Sequence, residues 1–443
     1  MKQLWKGFLA TVGGFFAPGQ SGKKGVLLIL LFTLISKSMG FLREILMAYF
    51  YGAGPAVDAF VASYTIFTLA VLLPSSLLPV VGTPILVEQG IKEGQEGQNE
   101  TFASLLSLWL IISVGLIAIL AVFGPLLVRV VAPLLPPDIH ALAVRIFYIL
   151  LPMSLGMVLV HLATAYYNAR RSFALPQTSG IILNTFIIFF LFLAQTIGIY
   201  ALAAGWGIGY LVAGLALLFP TVTGGRVLGR VWTPQTKEFL ILSMPLLLGY
   251  GLDQINTTVS RIFASSLPSG SISYLYYGWR VFDIPMLLIT ALTTVHLTKA
   301  AEMASLGKIK ELRGFTFSLL KKALLVIGPL SLILAIFAGP IVKLIFQRGA
   351  FEPDAASATS ITFRWYVLSM FPMFVSFVAL ATFRGMKEFR LPLVISVTGI
   401  LFNTIGSVVL IKPFGVGGLA ASATITIYLN ALIMFLLMFK RLR

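Results

Sequence analysis

The sequence of 443 residues contains no cysteine. Disulfide bonds, thiol chemistry and cysteine-ligated metal sites are therefore excluded. Histidine is nearly as rare, and His140, His161 and His296 lie too far apart in the sequence to form a local metal-binding motif. The GxGxxG, Walker A and HExxH patterns are also absent. We therefore expect no cofactor, because neither nucleotide nor zinc chemistry is indicated.

Charged residues are also scarce, at 11% of the chain against 58% hydrophobic residues. Soluble domains contain about 25% charged residues. A chain of this composition is predicted to be a polytopic membrane protein, and its long apolar stretches predict an all-α fold. The net charge of +17 is largely explained by membrane topology. It therefore does not indicate a nucleic-acid partner.

The apolar stretches predict the number of membrane spans. About 20 consecutive residues are needed to cross a hydrocarbon core of roughly 30 Å. Pro74, Pro79 and Pro84 interrupt the second stretch and predict kinks there. Twelve stretches are long enough, at residues 25–51, 57–88, 101–132, 139–167, 174–197, 199–223, 238–266, 271–303, 314–346, 357–384, 391–411 and 415–439.

The connections alternate between two compositions. One set, which includes ARRSF, GGRVLGRVWTPQTK, FRGMKEFR and KRLR, is mostly basic, whereas the other has few lysines or arginines. The positive-inside rule places the basic set and both termini in the cytoplasm. Residues 1–24 carry four lysines among aromatic residues and lack the compact core and cleavage site of a signal peptide. We expect an amphipathic segment on the cytoplasmic face there.

Residues 124–185 and 339–404 repeat one pattern with small insertions. Matching residues occur at offsets of 215 to 220, in the pairs Gly124/Gly339, Pro152/Pro372, Phe173/Phe389, Pro176/Pro392 and Asn184/Asn403. Six spans in each copy predict parallel repeats about a pseudo-two-fold axis along the membrane normal. We expect an N-terminal six-helix lobe at 25–224, a cytoplasmic linker at 225–237 and a C-terminal six-helix lobe at 238–443. A central cavity between two such lobes is typical of an alternating-access transporter.

Four charged residues interrupt the first two apolar stretches, within SKSMGFLREILMAYFYGAGPAVDAF at residues 36–60. They are Lys37, Arg43, Glu44 and Asp58. A charge at mid-bilayer costs roughly 2.5–3.5 kcal/mol, so four would disfavour insertion by about 10 kcal/mol if all faced lipid. A chain retains such groups where they face a wet cavity, pair with one another or meet a charged cargo. This segment is therefore the leading candidate for the functional site.

The spacing within this segment predicts a division of roles. Lys37 and Glu44 share a helix face, whereas Arg43 points about 100° away from Glu44. The helix can thus present Lys37 and Arg43 to a cargo while Glu44, as a gating residue, restrains another cation. The alternative is that Arg43 and Glu44 pair structurally near the outer interface. Asp58 opens the second helix, where a carboxylate either caps the N-terminus or forms a gating pair with a cation of the opposite lobe.

The segment SGSISYLYYGWRVFDIP at residues 269–285 predicts a second polar wall. Ser273 and Arg280 are seven residues apart and share a face, and Tyr277 lies one turn before Arg280. These side chains suit a cargo of phosphate and sugar, because the planar guanidinium binds phosphate oxygens bidentately. Asp283 is a candidate gating residue that can pair with Arg280. The alternative is a self-contained Arg280–Asp283 pair buried for packing.

The seventh apolar stretch is polar for a membrane helix. Its Asp253, together with Asn403 and Thr424 from the last two stretches, is a candidate site for a small coupling cation such as Na⁺. Hydrogen bonds between helices are the favoured alternative for these residues. The sequence leaves membrane potential, Na⁺ and H⁺ open as the driving force.

Three segments carry a resemblance to a known family: residues 36–60 and 269–285, and GPIVKLIFQRGAF at 339–351. They resemble signature stretches of the MurJ/MviN lipid II flippases, which belong to the multidrug/oligosaccharidyl-lipid/polysaccharide exporter superfamily. The resemblance implies a non-enzymatic, monomeric flippase of the bacterial cytoplasmic (inner) membrane. Its cargo would be an undecaprenyl-pyrophosphate-linked glycan, moved to the outer leaflet for peptidoglycan synthesis.

The resemblance also implies site residues. In that family, cations of helices 1, 2 and 8 line a central cavity and engage the pyrophosphate. By motif position, Lys37 stands where the family usually has arginine, and Arg43 matches a cavity arginine. Glu44 replaces the usual aspartate and Asp58 matches the aspartate of the DAF motif. The segment 269–285 matches the polar wall of helix 8.

The sequence departs from the family pattern in three places. Helix 2 usually carries an arginine followed by an EGAF-like motif, whereas residues 65–81 contain no charge. The acidic helix-7 position proposed for ion binding falls at Ser260. Family members usually have fourteen helices, against the twelve apolar stretches found here. The expected cargo is therefore lipid II or a related lipid-linked oligosaccharide.

Two other functions remain as alternatives. A cation-coupled multidrug exporter of the same superfamily predicts an apolar or acidic cavity, whereas the candidate residues here are largely basic. A membrane-embedded glycosyltransferase or polymerase needs a catalytic carboxylate in an outer loop. The acids available in the longer outer loops are Asp138, Glu352 and Asp354.

Overall fold

The computed structural model describes residues 23–222, 228–386, 388 and 390–442, apart from the side chains of residues 23–29, 222, 253, 390, 392 and 393. Every regular element within these ranges is a helix, as the all-α prediction requires. All but the last two residues of the predicted amphipathic segment 1–24 lie outside the described residues. That segment therefore stays a prediction.

The described helices follow the order of the predicted apolar stretches. The first six are α1 (Lys23–Tyr51), α2 (Pro55–Lys92), α3 (Gly94–Val131), α4 (Pro137–Ala169), α5 (Thr178–Leu191) and α6 (Tyr200–Val222). The next are α7 (Pro234–Ala264), α8 (Ser271–Ser305), α9 (Ile309–Ile336) and α10, a pair bent by 44° (Pro353–Leu368 and Met370–Gly385). The last helix, Arg390–Arg441, is broken at Gly415 into α11 (390–414) and α12 (416–441). Shorter helices are Leu175–Gln177, Ala194–Ile197 and Ala338–Phe346.

The length and hydropathy of these helices are those of a membrane protein. Seven of the described helices are long and apolar enough to cross a membrane, and the bent pair α10 is an eighth if it counts as one span. The seven are α2, α3, α4, α6, α8, α9 and the last helix, counted as one from Val394 to Arg441. The prediction of a polytopic all-α membrane protein is confirmed.

Helix α2 changes its hydrogen-bond register twice. Its α-helical segments are Pro55–Phe67, Leu73–Ser75 and Thr83–Lys92. Between them lie π-helical turns at Thr68–Leu72 and Leu78–Gly82. Pro74, Pro79 and Pro84 each stand at the second residue of a segment. Because proline lacks an N–H and its ring clashes with the preceding turn, the α-helix is interrupted where the prolines predict it.

The chain divides into two compact units. Unit 1 contains the described residues up to Phe50 together with those of Ser63–Val128 and His140–Tyr250. Unit 2 contains Tyr51–Ala62, Arg129–Ile139 and the described residues from Gly251 onwards. The turn between α1 and α2 therefore belongs to unit 2, although both helices continue in unit 1. The lobe boundaries predicted from the repeat stay a prediction.

Unit 1 is held together by close approaches of α6 to α5 and α4. A Cβ added at Gly205 of α6 would lie 2.9 Å from Cα of Ile187 in α5, and one at Gly156 of α4 would lie 2.3 Å from the backbone of Tyr210. Only glycine permits these distances, and small residues at helix contacts are typical of membrane proteins. They fix the relative positions of α5, which carries Asn184, and α6, which carries Trp206.

In unit 2, α8 contacts α9, α10 and the last helix. The Thr362 hydroxyl of α10 donates to the Tyr274 carbonyl of α8 at 2.9 Å. The rings of Tyr277, Phe346 and Phe351 form a cluster with centroids 5.0–5.4 Å apart. These contacts give the first turns of α8 a defined position and bury one face of them.

One hydrogen bond recurs in the two copies of the repeat. Nδ2 of Asn184 donates to the Ser36 carbonyl of α1 at 3.1 Å, and Nδ2 of Asn403 donates to the Asn256 carbonyl of α7 at 3.3 Å. In each copy a glycine with positive φ also precedes the next long helix: Gly198 lies before α6, and Gly415 lies between α11 and α12. The two copies therefore share local structure as well as sequence.

Candidate functional site

Arg43 lies in a polar cluster within unit 1. Its Nη2 is 2.5 Å from Oε1 of Glu44, and its Nη1 donates to Oδ1 of Asn184 in α5 at 2.8 Å. The guanidinium carbon is 4.6 Å from the ring centroid of Trp206 in α6. Arg43 and Glu44 expose only 9% and 3% of their surface. The cation is thus bound by a carboxylate, an amide and an indole ring at once.

This geometry differs from the expected division of roles. Adjacent residues leave a helix about 100° apart, which suggested that Glu44 restrains a cation other than Arg43. Both side chains are long enough to turn back along the helix surface and meet. The alternative of an Arg43–Glu44 pair is therefore the one found in this structure. The partners that the sequence did not indicate are Asn184 and Trp206, although Asn184 is one of the matched repeat residues.

Lys37 has a different environment from Arg43. It lies on α1 about a turn and a half before Arg43, and its side chain is exposed. We find no ion pair for Lys37 among the residues that the structure describes. It remains available to an anion that approaches this part of α1.

Asp58 caps the N-terminus of α8, within unit 2. Its Oδ2 accepts from the Gly270 N–H at 2.5 Å, and its Oδ1 accepts from the Ser273 N–H at 2.8 Å and the Ser273 hydroxyl at 2.5 Å. Gly270 is the N-cap residue of α8. Asp58 is therefore the capping carboxylate of a helix more than 200 residues away, where anions are favoured by the free N–H groups and the helix dipole. It also lines a small cavity of about 180 Å³ beside the α7–α8 turn.

Ser273 and Tyr277 are fully buried against the α1–α2 turn. The Tyr277 hydroxyl donates to the Gly52 carbonyl at 3.1 Å, while the Ser273 hydroxyl is held by Asp58. Gly52 has φ of 64°, a conformation that favours glycine. The structure thus brings together three residues predicted separately, Asp58, Ser273 and Tyr277, as an anchor between a turn and a helix start.

Arg280 and Asp283 form the pair that their spacing predicts. Nη1 of Arg280 is 3.3 Å from Oδ2 of Asp283, and the side chains are 27% and 44% exposed. The Arg280 guanidinium also lies 4.8 Å from the ring centroid of Tyr276. The pair is not buried for packing, because both side chains retain substantial exposure. A guanidinium with this exposure can exchange a carboxylate for a phosphate.

The candidate cation site has hydrogen bonds of its own. Nδ2 of Asn403 donates to Oδ1 of Asn256 at 2.9 Å, and Oδ1 of Asn403 accepts from the Ser422 hydroxyl at 3.1 Å. The Thr424 hydroxyl donates to the Trp365 carbonyl at 2.8 Å. The side chain of Asp253 lies outside the described residues. Among those described, no group of three His, Cys, Asp or Glu residues could hold a metal ion.

The three carboxylates that a glycosyltransferase or polymerase could use lie at the starts of helices. Asp138 is in the first turn of α4, Glu352 precedes α10 and Asp354 is in its first turn. Carboxylates at such positions interact favourably with the helix dipole. Their placement therefore has a structural reason that involves no reaction.

Comparison with known proteins covers almost the whole chain. A family model described as Lipid II flippase MurJ matches residues 47–443. The probable lipid II flippase MurJ of Bdellovibrio bacteriovorus is 26% identical over 425 residues, which is 92% of this chain and 80% of that protein. The match to the family model alone extends over far more than half of the sequence.

Solved structures share the fold. A lipid II flippase MurJ in an inward closed conformation has a TM-score of 0.81 at 21% identity and covers 93% of this chain and 87% of its own. An inward-facing multidrug resistance MATE transporter has a TM-score of 0.78 at 14% identity and covers 94% and 98%. At these identities the likeness shows the fold alone, whereas the family model shows the family. This chain belongs to the MurJ family of lipid II flippases.

Proposed function

We propose that this chain moves an undecaprenyl-pyrophosphate-linked saccharide, lipid II or a related oligosaccharide, from the inner to the outer leaflet of the bacterial cytoplasmic membrane. The observation that carries the proposal is the family match over residues 47–443. The transport cycle is alternating access, with both termini in the cytoplasm. The relatives named above are described as lipid II flippases, and the charged residues here suit a pyrophosphate.

Lys37 and Arg280 are the first phosphate-binding cations in this proposal. Lys37 is exposed, and the Arg280 side chain is 27% exposed. The exposed part of each side chain can therefore contact a diphosphate. Arginine offers paired N–H donors that match two phosphate oxygens, and lysine adds a compact positive charge.

Arg43 joins the site only after an exchange of partners. Its guanidinium now lies between Glu44, Asn184 and Trp206. A phosphate that replaces Glu44 would keep the cation paired, so that the exchange avoids an isolated buried charge. Glu44 then acts as a gating residue, because its bond to Arg43 is made only in the state without cargo. A ligand that binds one state more tightly shifts the population towards it.

Asp58 and Asp283 are the remaining gating residues of the proposal. Asp283 would release Arg280 when the cargo binds. Asp58 would release the N-terminus of α8 in the other conformational state, since its three hydrogen bonds join the α1–α2 turn to that helix. Asp253, Asn403 and Thr424 stay candidates for binding a coupling cation. Membrane potential and a H⁺ gradient remain open as energy sources, and the working unit is a monomer.

A reconstituted transport assay tests the function. Proteoliposomes would carry fluorescent lipid II in one series and another undecaprenyl-pyrophosphate oligosaccharide in a second. We expect movement of at least one of them. If neither moves while a cationic drug is exported, the chain is a multidrug exporter of the MATE type, whose fold it shares.

The same assay tests the phosphate-binding residues. We expect Lys37→Ala and Arg280→Ala each to slow transport by about tenfold to a hundredfold, since one hydrogen bond to a charged group is worth about 1.5–3 kcal/mol. Lys92→Ala is the matched control, because Lys92 is exposed and pairs with Glu88 on its own helix. Wild-type transport by both variants would contradict the assignment, and equal loss in the control would show a nonspecific effect of charge.

A further inference from the structure

A basic cleft lies where the first turns of α9 meet the end of α12. Its volume is about 280 Å³, and its lining residues are Lys310, Arg313, Gly314, Phe317 and Phe439. All of them lie in unit 2. None of the residues assigned above to the cargo or to gating lines this cleft. The cleft therefore has no part in the proposed transport site.

Positive charge in the cleft is not neutralised by neighbouring acids of the described chain. Glu311, beside the cleft on α9, is 3.1 Å from the Lys308 ammonium. Glu388, which precedes the last helix, is 3.1 Å from the Arg441 guanidinium. We find no ion pair for Lys310 or Arg313 among the residues that the structure describes. Both acids are thus already paired with cations outside the cleft lining.

The aromatic side chains that line the cleft are Phe317 and Phe439, and Phe439 contacts Arg313. The Arg313 guanidinium carbon is 5.1 Å from the ring centroid of Phe439. Phe317 contacts Phe435 and Phe439 edge to face, with centroids 5.8 and 5.7 Å apart. A cation within about 6 Å of a ring centroid is attracted to the ring face, so this contact holds the Arg313 guanidinium beside the cleft. From there its N–H groups can donate to an anion.

The sequence of α12 gives the depth of the cleft in the membrane. Phe439 is the last residue of an apolar run, and the exposed Lys440 and Arg441 follow it. Such an aromatic and basic ending is typical of the membrane–water interface. Because Arg313 contacts Phe439, its charge lies at the same level. Leu436 and Leu432, one and two turns further into the span, are 55% and 56% exposed.

We propose that this cleft binds the phosphate of an anionic diacyl phospholipid. Lys310 and Arg313 would hold the phosphate, and the acyl chains would lie along the exposed leucines of α12. Basic pockets between membrane helices at the cytoplasmic side suit such headgroups. The apolar surface directly below the cations favours a lipid over a free phosphate ion. The exposed Lys321 and Lys322, further along α9, add positive charge and can extend towards the interface.

Lipid binding to the purified full chain tests the proposal. Phosphatidylglycerol and phosphatidylcholine would be titrated in detergent, with native mass spectrometry as the readout. We expect the double variant Lys310→Ala/Arg313→Ala to weaken phosphatidylglycerol binding by at least about tenfold, since each cation near an anionic lipid contributes roughly fivefold. Arg313→Lys, which keeps the charge, should retain most of the binding and shows that loss is not misfolding.

The control is Lys92→Ala/Lys237→Ala, which removes two exposed lysines and the same charge. It should bind phosphatidylglycerol like the wild type. The proposal is overturned if the cleft variant binds normally or if the control loses as much. The proposal is also overturned if millimolar inorganic phosphate displaces phosphatidylglycerol, because the cleft would then be a site for free phosphate. Displacement of phosphatidylglycerol by an equal concentration of lipid II would overturn it too, because the cleft would then be a site for cargo.

Discussion

The Arg43–Glu44 pair gives the sharpest test of the proposed site. Arg43 and Glu44 are 2.5 Å apart at their closest atoms and almost completely buried. We consider Glu44→Gln, which is nearly isosteric, and Arg43→Gln, which shortens the side chain, each alone and both together. The changes remove one charge or both while keeping a polar side chain at each position.

The magnitudes follow from what each change leaves behind. Removing one member of a buried pair typically costs about 3–5 kcal/mol, because the other charge stays buried. In Glu44→Gln the arginine keeps Asn184 and Trp206, and a cation–π contact is worth about 0.5–2 kcal/mol. We therefore expect a loss of about 2–4 kcal/mol in the free energy of unfolding. Arg43→Gln should lose about 3–5 kcal/mol, since all three contacts of the guanidinium go.

The double variant separates pairing from other effects. With both charges absent no isolated charge is buried, so its loss should be at least about 2 kcal/mol smaller than the sum of the single losses. Reversible unfolding in mixed micelles measures the three differences. Additivity within about 0.5 kcal/mol would refute the reasoning, because it would mean that the two groups do not interact.

Transport by the same variants separates stability from function. If Arg43 takes the pyrophosphate in exchange for Glu44, the double variant should fold and still fail to move lipid II. Glu44→Gln should bind cargo more tightly than the wild type, since the competing carboxylate is gone. Normal transport by the double variant would restrict the pair to a structural role.

Three further predictions concern packing and capping. Asp58→Asn should cost about 3 kcal/mol of unfolding free energy, because an amide N–H would face the N–H groups at the start of α8. Ser273→Ala should cost only about 1.5 kcal/mol. A larger loss from the serine change would contradict the capping geometry. Gly156→Ala should lower the melting temperature, because the added Cβ would lie 2.3 Å from the backbone of Tyr210. Gly115→Ala is the control and should leave the melting temperature unchanged, because the added Cβ would have no heavy atom within 4 Å. Equal shifts would exclude the close approach as the cause. Tyr277→Phe should cost about 1 kcal/mol in unfolding titrations for the lost hydroxyl bond, and an unchanged midpoint would show that the bond contributes nothing.

Local features of the fold could be read from the sequence. The interruptions of α2 fall at Pro74, Pro79 and Pro84, because each proline removes one helical hydrogen bond and its ring crowds the preceding turn. The break at Gly415 coincides with the predicted start of the last span. The Arg280–Asp283 pair was also foreseen, since residues three apart on one helix are neighbours. Each of these depends on residues within a turn or two of one another.

Partners that are distant in the sequence could not be read in this way. Asn184 and Trp206, which bind Arg43, lie more than 140 residues from it. The sequence predicts Asp58 to cap its own helix or to form a gating pair, whereas its carboxylate caps α8. In a span that is apolar on every face, hydrophobic periodicity does not indicate which face meets lipid, a neighbouring helix or water. The burial of Ser273 and Tyr277 therefore depends on packing alone.

By itself, the sequence determined that the chain spans a membrane many times, where its helices break, and which few charges are too costly to be accidental. These follow from hydropathy, backbone chemistry and the cost of burying charge, all of which are properties of single residues or short segments. Only the tertiary structure decided which partner each charge has: a pair with Glu44 for Arg43, a cap on α8 for Asp58 and an exposed position for Lys37. The physical reason is that a buried charge is stabilised by whichever donor or acceptor packing brings within hydrogen-bond distance, and that choice belongs to the fold.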